Sequence, residues 1–183
     1  MTYKFFIFLF LVFFITSANA NYKNKIIKNL NNTKNLSFKF EQNINGKIEN
    51  GKCVIEYPKK ISCTYKKKNN KILISNGKSL IIKTNVSYYR YPLEKTALNL
   101  ILDKKFLINK ISDLKEKNID EDIISYSIIE NDNEINIYFD NQTFNLIGWQ
   151  IKDIYQNLSI TLLSAVKINQ NIASGLFKMP MQN

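Results

Sequence analysis

The sequence predicts a mainly β domain of α+β class, a strongly curved antiparallel sheet with short helices over its concave side. Three observations predict it. Apolar and polar residues alternate along about nine short segments, the period of a strand with one buried and one wet face. Only two segments carry helical spacing, too few to cover a flat sheet of that size, so the sheet must curve to bury its own apolar face. No Gly/Ser linker, Pro-rich stretch or internal repeat divides the chain, so one core is expected.

In chain order, residues 1 to 20 read as a cleavable export signal. Lys4 is followed by an apolar run from Phe5 to Ile15 and then by Ala18-Asn19-Ala20, a signal-peptidase site. As a membrane helix that run would span only ~16 Å, about half of a ~30 Å hydrocarbon core. Cleavage after Ala20 leaves residues 21–183 as one domain, expected to work as a soluble protein outside the cytoplasm. Tyr22, Ile26, Ile27 and Leu30 then fall on one face of a short helix.

The period next changes to two. Leu36, Phe38 and Phe40 make the first strand, Cys53, Ile55 and Tyr57 the next, and Ile61, Cys63 and Tyr65 the third. Ile72 and Ile74 lead to Asn76-Gly77, a hairpin signal, and on to Leu80 and Ile82. From Leu98 to Ile111 the spacing is helical, with Leu98, Ile101, Leu102, Phe106 and Ile108 on one side, before a charged stretch over 113–122. Strands resume at Ile124, Tyr126 and Ile128, at Ile135, Ile137 and Phe139, over 144–151, and at Leu158, Ile160 and Leu162.

Several function classes are set aside by composition. The formal charge is +11, or +10 once Lys4 leaves with the signal, yet 25 of the 26 basic residues are lysine and Arg90 is the sole arginine. Arginine forks dominate specific base recognition, so no nucleic-acid partner is expected; 26 asparagines beside many isoleucines fit an AT-rich coding bias. The lysines still suit anionic lipid surfaces. There is no histidine, which removes the commonest general base and metal ligand and any Ser-His-Asp arrangement. The few carboxylates fall mostly in turns, and nothing points to a paired-carboxylate hydrolase. The chain is therefore expected to be no enzyme and to carry no metal or cofactor.

Two motifs need a decision. Gly46-Lys-Ile-Glu-Asn-Gly51-Lys52 fits the phosphate-loop pattern, but Cys53 stands where Ser or Thr is needed and a strand follows where a helix must begin. Two glycines in strand-connecting turns explain it better. Cys53 and Cys63 flank the turn at Tyr57-Pro58-Lys59-Lys60; a register pairing 55 with 61 would set them opposite one another, within disulfide reach. The alternative is two buried free thiols. A redox enzyme is not indicated, since no Cys-x-x-Cys occurs.

The order of short motifs is more specific than any one of them. Leu36-Ser37-Phe38-Lys39-Phe40-Glu41-Gln42 is similar to a first strand ending in Phe-x-Gln; Gly51, Tyr57-Pro58, Ile61 and Tyr65 resemble a hairpin, and Ile74-Ser75-Asn76-Gly77-Lys78-Ser79-Leu80 a turn, of one family. Tyr91-Pro92-Leu93 with Thr96, Leu98 and Leu102 resembles the opening of its central helix, and 146–153, Ser159-Ile160 and Leu176-Phe177 its closing strands. The family is the periplasmic outer-membrane lipoprotein carriers of the LolA type, over roughly 22–180. Tyr57 stands where the family commonly has Arg, and Ala97 and Gln156 where Pro and Gly are usual. An arginine latch on the lid therefore lacks its residue here.

The resemblance implies a half-open β-barrel lidded by short helices, whose cavity shelters lipoprotein acyl chains crossing the periplasm. On that reading the cavity is lined by Phe38, Phe40, Ile55, Tyr65, Ile72, Ile74, Ile137, Phe139, Trp149 and Ile160, with Leu98, Ile101 and Leu102 in the lid. Ordinary core packing is the competing role for each. Implied partners are the acyl chains, an ATP-driven inner-membrane transporter that loads a monomeric carrier, and an outer-membrane receptor. A lipid- or lipoprotein-sensing regulatory domain on the same sheet is the alternative. Asn21, in place of a lipid-anchored Cys, leaves the mature chain free to diffuse.

Overall fold

Helix α1 (Ser17–Asn32) leads into strands β1 (Asn35–Ile44), β2 (Lys47–Glu56), β3 (Lys60–Tyr65), β4 (Ile72–Asn76), β5 (Ser79–Lys83) and β6 (Tyr88–Pro92). A 3-10 turn (Leu93–Lys95) and helices α2 (Leu98–Leu102) and α3 (Lys104–Asp113) follow, then β7 (Asn118–Ile119), β8 (Ile123–Glu130), β9 (Asn133–Asp140), β10 (Leu146–Lys152) and β11 (Leu158–Ile168). These come from a computed structural model that describes residues 17–66, 69–114, 118–119, 122–130 and 133–182. The export signal expected at 1–20 lies outside the described residues up to residue 16. Helix α1 starts five residues earlier than the spacing of its apolar face predicts.

All strands belong to one antiparallel sheet ordered β6-β5-β4-β3-β2-β1-β11-β10-β9-β8-β7. The pairing β1–β11 joins two meanders, and the edges β6 and β7 do not meet, so the barrel stays half open. Among the described residues two strands exceed the nine expected. Strand β6 reads Tyr-Tyr-Arg-Tyr-Pro, with no apolar alternation, and sits at an edge where a proline is tolerated. Strand β7 is a two-residue pairing with β8.

The hairpins follow from local chemistry. Asn45 and Gly46 both have positive φ, 48° and 85°, which is what a two-residue turn between β1 and β2 demands. Gly51, expected in a turn, instead lies inside β2; a Cβ there would sit 2.2 Å from the Thr64 carbonyl oxygen and 2.6 Å from the Phe40 ring. Only glycine lets Phe40 cross the strand at that point.

The single helix expected over 98–111 is two. Asp103 leaves the helical region (φ −93°, ψ 90°) and its carboxylate accepts the Phe106 N–H at 3.1 Å, capping α3. Both helices and α1 lie on the concave side, where Ile26, Ile101, Leu102, Leu107 and Ile111 are fully buried against Ile124, Tyr126, Ile135, Ile137 and Phe139. The lid is fastened at both ends: the Lys23 ammonium donates to the Ser112 and Leu114 carbonyls, and Lys104 to those of Asn31 and Thr33. Among the described residues no helix is long and apolar enough to cross a membrane.

Candidate functional site

Where the helices stop, the concave face is hollow. A cavity of about 830 Å³ lies over β1 to β5 and the ends of β10 and β11. Its floor is Phe40, Leu73, Leu80, Ile82, Trp149 and Ile151, roofed by Leu98, with Cys53 and Cys63 in one wall. Antiparallel register places those cysteines directly opposite, Cα atoms 4.1 Å apart, and they are joined by a disulfide. Edge-on ring pairs set the aromatic walls, Phe40 with Tyr65 at 5.0 Å and Phe38 with Trp149 at 6.2 Å.

Toward the hairpin tips the lining turns polar. Gln42 donates its amide to Ser159 Oγ at 3.0 Å and Thr161 Oγ1 at 3.2 Å, and accepts the Tyr65 hydroxyl at 3.3 Å. Glu49, only 8% exposed, is paired with the Lys71 ammonium at 2.5 Å, and that ammonium lies 4.2 Å from the Tyr65 ring centroid. Burial, and secondarily the Glu49 charge, push the Tyr65 phenol up, which keeps it a neutral donor. The mouth beyond carries Lys47, Lys66 and Lys152. Such a gradient, apolar at depth and cationic at the opening, suits an amphiphile entering tail first.

Of the residues expected at the site, Phe40, Tyr65, Leu98 and Trp149 line the cavity. Phe38, Ile55, Ile101, Leu102, Ile137 and Phe139 do not; they form the packed core where helices meet sheet, because the lid covers that part of the concave face completely. Ile72, Ile74 and Ile160 are placed on the convex side. Ile61 and Cys63 face inward and pair with Ser75 and Leu73, so β4 turns Leu73 into the cavity and Ile74 out. In β11 Ser159 and Thr161 line the cavity, so Ile160 between them points away.

Missed by sequence reasoning were Gln42, Glu49, Leu73, Leu80, Ile82 and Ile151 among others. Strand parity could have found several, since Gln42 continues the row Leu36, Phe38, Phe40 and Glu49 the row of Gly51 and Cys53. Polar Gln42 and Glu49 were passed over because an inward row was read as an apolar one. No group of three or more metal-ligating side chains occurs among the described residues.

A half-open sheet, helix-packed at one end and hollow at the other, defines a class of domains built round a cavity rather than a solid core. Residues 31–180 match the family described as outer membrane lipoprotein carrier protein LolA, and the chain belongs to that family. Among solved structures it is similar to an uncharacterized conserved protein from Thermus thermophilus (TM-score 0.51, 7% identity, covering 90% of this chain and 94% of that one). It is also similar to MucB (TM-score 0.50, 9% identity, 91% of this chain and 64% of MucB's), and to a LolA superfamily protein from Nitrosomonas europaea (TM-score 0.44, 8% identity, 88% and 97%). At such identities the likeness is one of fold. No curated protein sequence matches the chain.

Proposed function

We propose that the chain is a periplasmic carrier that holds the acyl chains of lipoproteins in this cavity and shuttles them from an inner-membrane transporter to an outer-membrane receptor. The observation that carries the reading is the apolar floor under Leu98, with a lining that turns polar toward the hairpin tips. Burying a methylene is worth ~0.8 kcal/mol, so one 16-carbon chain left in water costs on the order of 12 kcal/mol. A lipoprotein therefore needs a sheltering cavity to leave its membrane. Export after cleavage at Ala20 would deliver the carrier to the right compartment. On this reading release from the transporter is driven by that partner, since the phosphate-loop pattern of the sequence is strand β2 and its turn.

Trp149 is the sole tryptophan and lines the cavity, so it reports occupancy directly. Titration of the protein with a long-chain acyl ligand is expected to shift and sharpen its emission, and Leu80→Glu to abolish the response. Depletion in cells followed by membrane fractionation tests the shuttling itself. The expected result is lipoprotein retained in the inner membrane; normal outer-membrane delivery, with purified protein carrying no lipoprotein, defeats the reading. A sensing domain on the same fold would bind acyl chains and a membrane-bound regulator without net transfer, which the fractionation separates.

A further inference from the structure

The cavity opens among the described residues of four hairpin tips, which hydrogen bonds join in pairs. The tips are 45–46, 66–71 (of which Lys66 and 69–71 are described), 84–87 and 153–157. The Asn45 amide donates to Asn157 Oδ1 at 2.7 Å, the Asn85 N–H to the Asn69 carbonyl at 3.0 Å, and the Tyr91 and Tyr155 hydroxyls meet at 3.3 Å. Beside the asparagines of these turns, two kinds of exposed side chain stand at the mouth. Val86 is 88% exposed, Tyr155 62% and Tyr89 47%. Between them stand the exposed lysines Lys47, Lys66 and Lys152.

The charge of the mouth is net positive. Four lysines line it (47, 66, 71 and 152) against two carboxylates, Glu49 and Asp153. Glu49 is engaged by Lys71 and, at 3.9 Å, by the exposed Lys47, and Asp153 accepts the N–H groups of Tyr155 (2.8 Å) and Asn157 (2.9 Å), which turns its charge into the hairpin. Lysine is common elsewhere on this chain, so charge alone singles out nothing. At the lid end, however, Lys23 and Lys104 are tied to backbone carbonyls, and Lys59 and Lys110 to Asp103 and Glu130. What sets the mouth apart is lysine beside exposed apolar side chains, Val86 and Tyr155 on turns and Tyr89 near the start of β6. Tyrosine is at home at headgroup level and lysine beside lipid phosphates, and that combination matches an anionic bilayer surface.

We propose that the hairpin tips around the cavity mouth are a docking surface for an anionic lipid bilayer, with Val86, Tyr89 and Tyr155 entering the headgroup layer and Lys47, Lys66 and Lys152 meeting its phosphates. This adds to the acyl-chain reading and rests on it, since docking by the mouth lets a chain pass between bilayer and cavity without crossing water. Val86 stands apart, while Tyr89 stacks on Tyr91 and the Tyr91 hydroxyl meets that of Tyr155; these few side chains suit shallow insertion and do not make the broad patch of a protein interface.

The test is flotation of the mature protein with vesicles of phosphatidylcholine containing about a third phosphatidylglycerol, an anionic content well above that of neutral membranes. Expected are binding to these vesicles, loss of binding to pure phosphatidylcholine, and release by salt. Lys66→Glu and Lys152→Glu should each weaken partitioning by about fivefold or more, and Val86→Asp should weaken it at every salt concentration. Lys28→Glu and Lys105→Glu, equal in charge change but on exposed positions of the helices at the far end, should cost less than twofold. The salt titration of unmodified protein reads the same charge effect without any substitution. No vesicle binding, or equal weakening by mouth and helix reversals, overturns the proposal. If vesicles fail to bind while Trp149 still responds to a soluble acyl ligand, docking alone is wrong; if vesicles bind and Trp149 stays silent, the cavity reading is wrong.

Discussion

Tyr57 carries a buried hydroxyl with no hydrogen-bond partner among the described residues, under the Lys104 ammonium 5.7 Å from its ring centroid. Burial pushes its phenol up and keeps it neutral, so the cost is that of a desolvated O–H and not of a charge. Removing it with Tyr57→Phe should stabilise the fold by ~1 kcal/mol, raising Tm by about 2–4 °C in a chain of this size. A thermal melt that moves downward would mean the hydroxyl has a partner after all. Asp140 is the opposite case. Its carboxylate accepts the Thr143 hydroxyl at 2.6 Å, the Thr143 N–H at 2.5 Å and the Gln142 N–H at 3.2 Å, and the hydroxyl is the largest cause that holds it below the ordinary 3.8. A carboxyl depressed by folding adds stability that is present above its unfolded pKa and lost as pH falls through the folded one, and being exposed it adds little. Thr143→Val should return the Asp140 titration, followed by carbon-detected NMR, toward 3.8 and soften the acid limb of the stability profile. No movement would show that the backbone N–H groups alone set it.

Among the elements, the lid is tied to the sheet at the β2–β3 turn. The β2–β3 turn is fixed to the helices by Lys59: its N–H donates to the Leu102 carbonyl at 2.9 Å and its ammonium pairs with Asp103 at 3.2 Å. Asp103 also caps α3, so one side chain serves the junction of both helices. Asp103→Ala should cost ~1 kcal/mol, mostly the cap, whereas Asp103→Asn keeps the cap and loses only a half-exposed ion pair worth less. Denaturant unfolding that ranks the two equally would put the weight on the ion pair. The same residue explains why one helix was read where two exist, since an aspartate inside an apolar period is a cap only if the backbone bends there. Strands β1, β2, β8 and β9 were legible because one face is wet and the alternation is clean. Strand β4 was not: Ile72, Leu73 and Ile74 are apolar on both faces, because the convex side is covered as well. The segment after β11 runs over it, Phe177 under Lys60, the Met181 carbonyl on Lys83 and the Pro180 carbonyl on Tyr88, and Ile81 on that side is 1% exposed. Parity cannot be read from a strand buried twice, so the sequence offers Ile72 and Ile74 to the cavity although they face the convex side.

At the scale of the whole molecule, one concave face is divided between a packed half and a hollow half. The helices fill the part over β8 and β9 with aliphatic side chains, while the other part is lined in addition by the polar side chains of Gln42, Glu49, Ser159 and Thr161, which hydrogen-bond and pair along the wall. Sequence alone cannot reveal that division, because inward rows look alike until the lid is placed over them. Its size sets a limit on cargo. Counting a methylene at roughly the ~30 Å³ of a liquid water, a 16-carbon chain needs about 480 Å³ and three need about 1,400 Å³. The cavity holds about 830 Å³, more than one chain and less than two. A cargo with one acyl chain should therefore bind with the lid as it stands, and a triacylated lipopeptide should bind only by displacing the roof at Leu98. Helix α2 is the element that must give, being five residues long and capped by no side chain at its N-terminus. Hydrogen exchange read on 98–102 should accelerate on saturation with the triacylated ligand and stay unchanged with a monoacylated one, while the amides of β9 under the packed half remain protected in both. Equal protection of α2 with either cargo would mean that the extra chains lie outside the lid, along the mouth, and that the cavity wall is a different element.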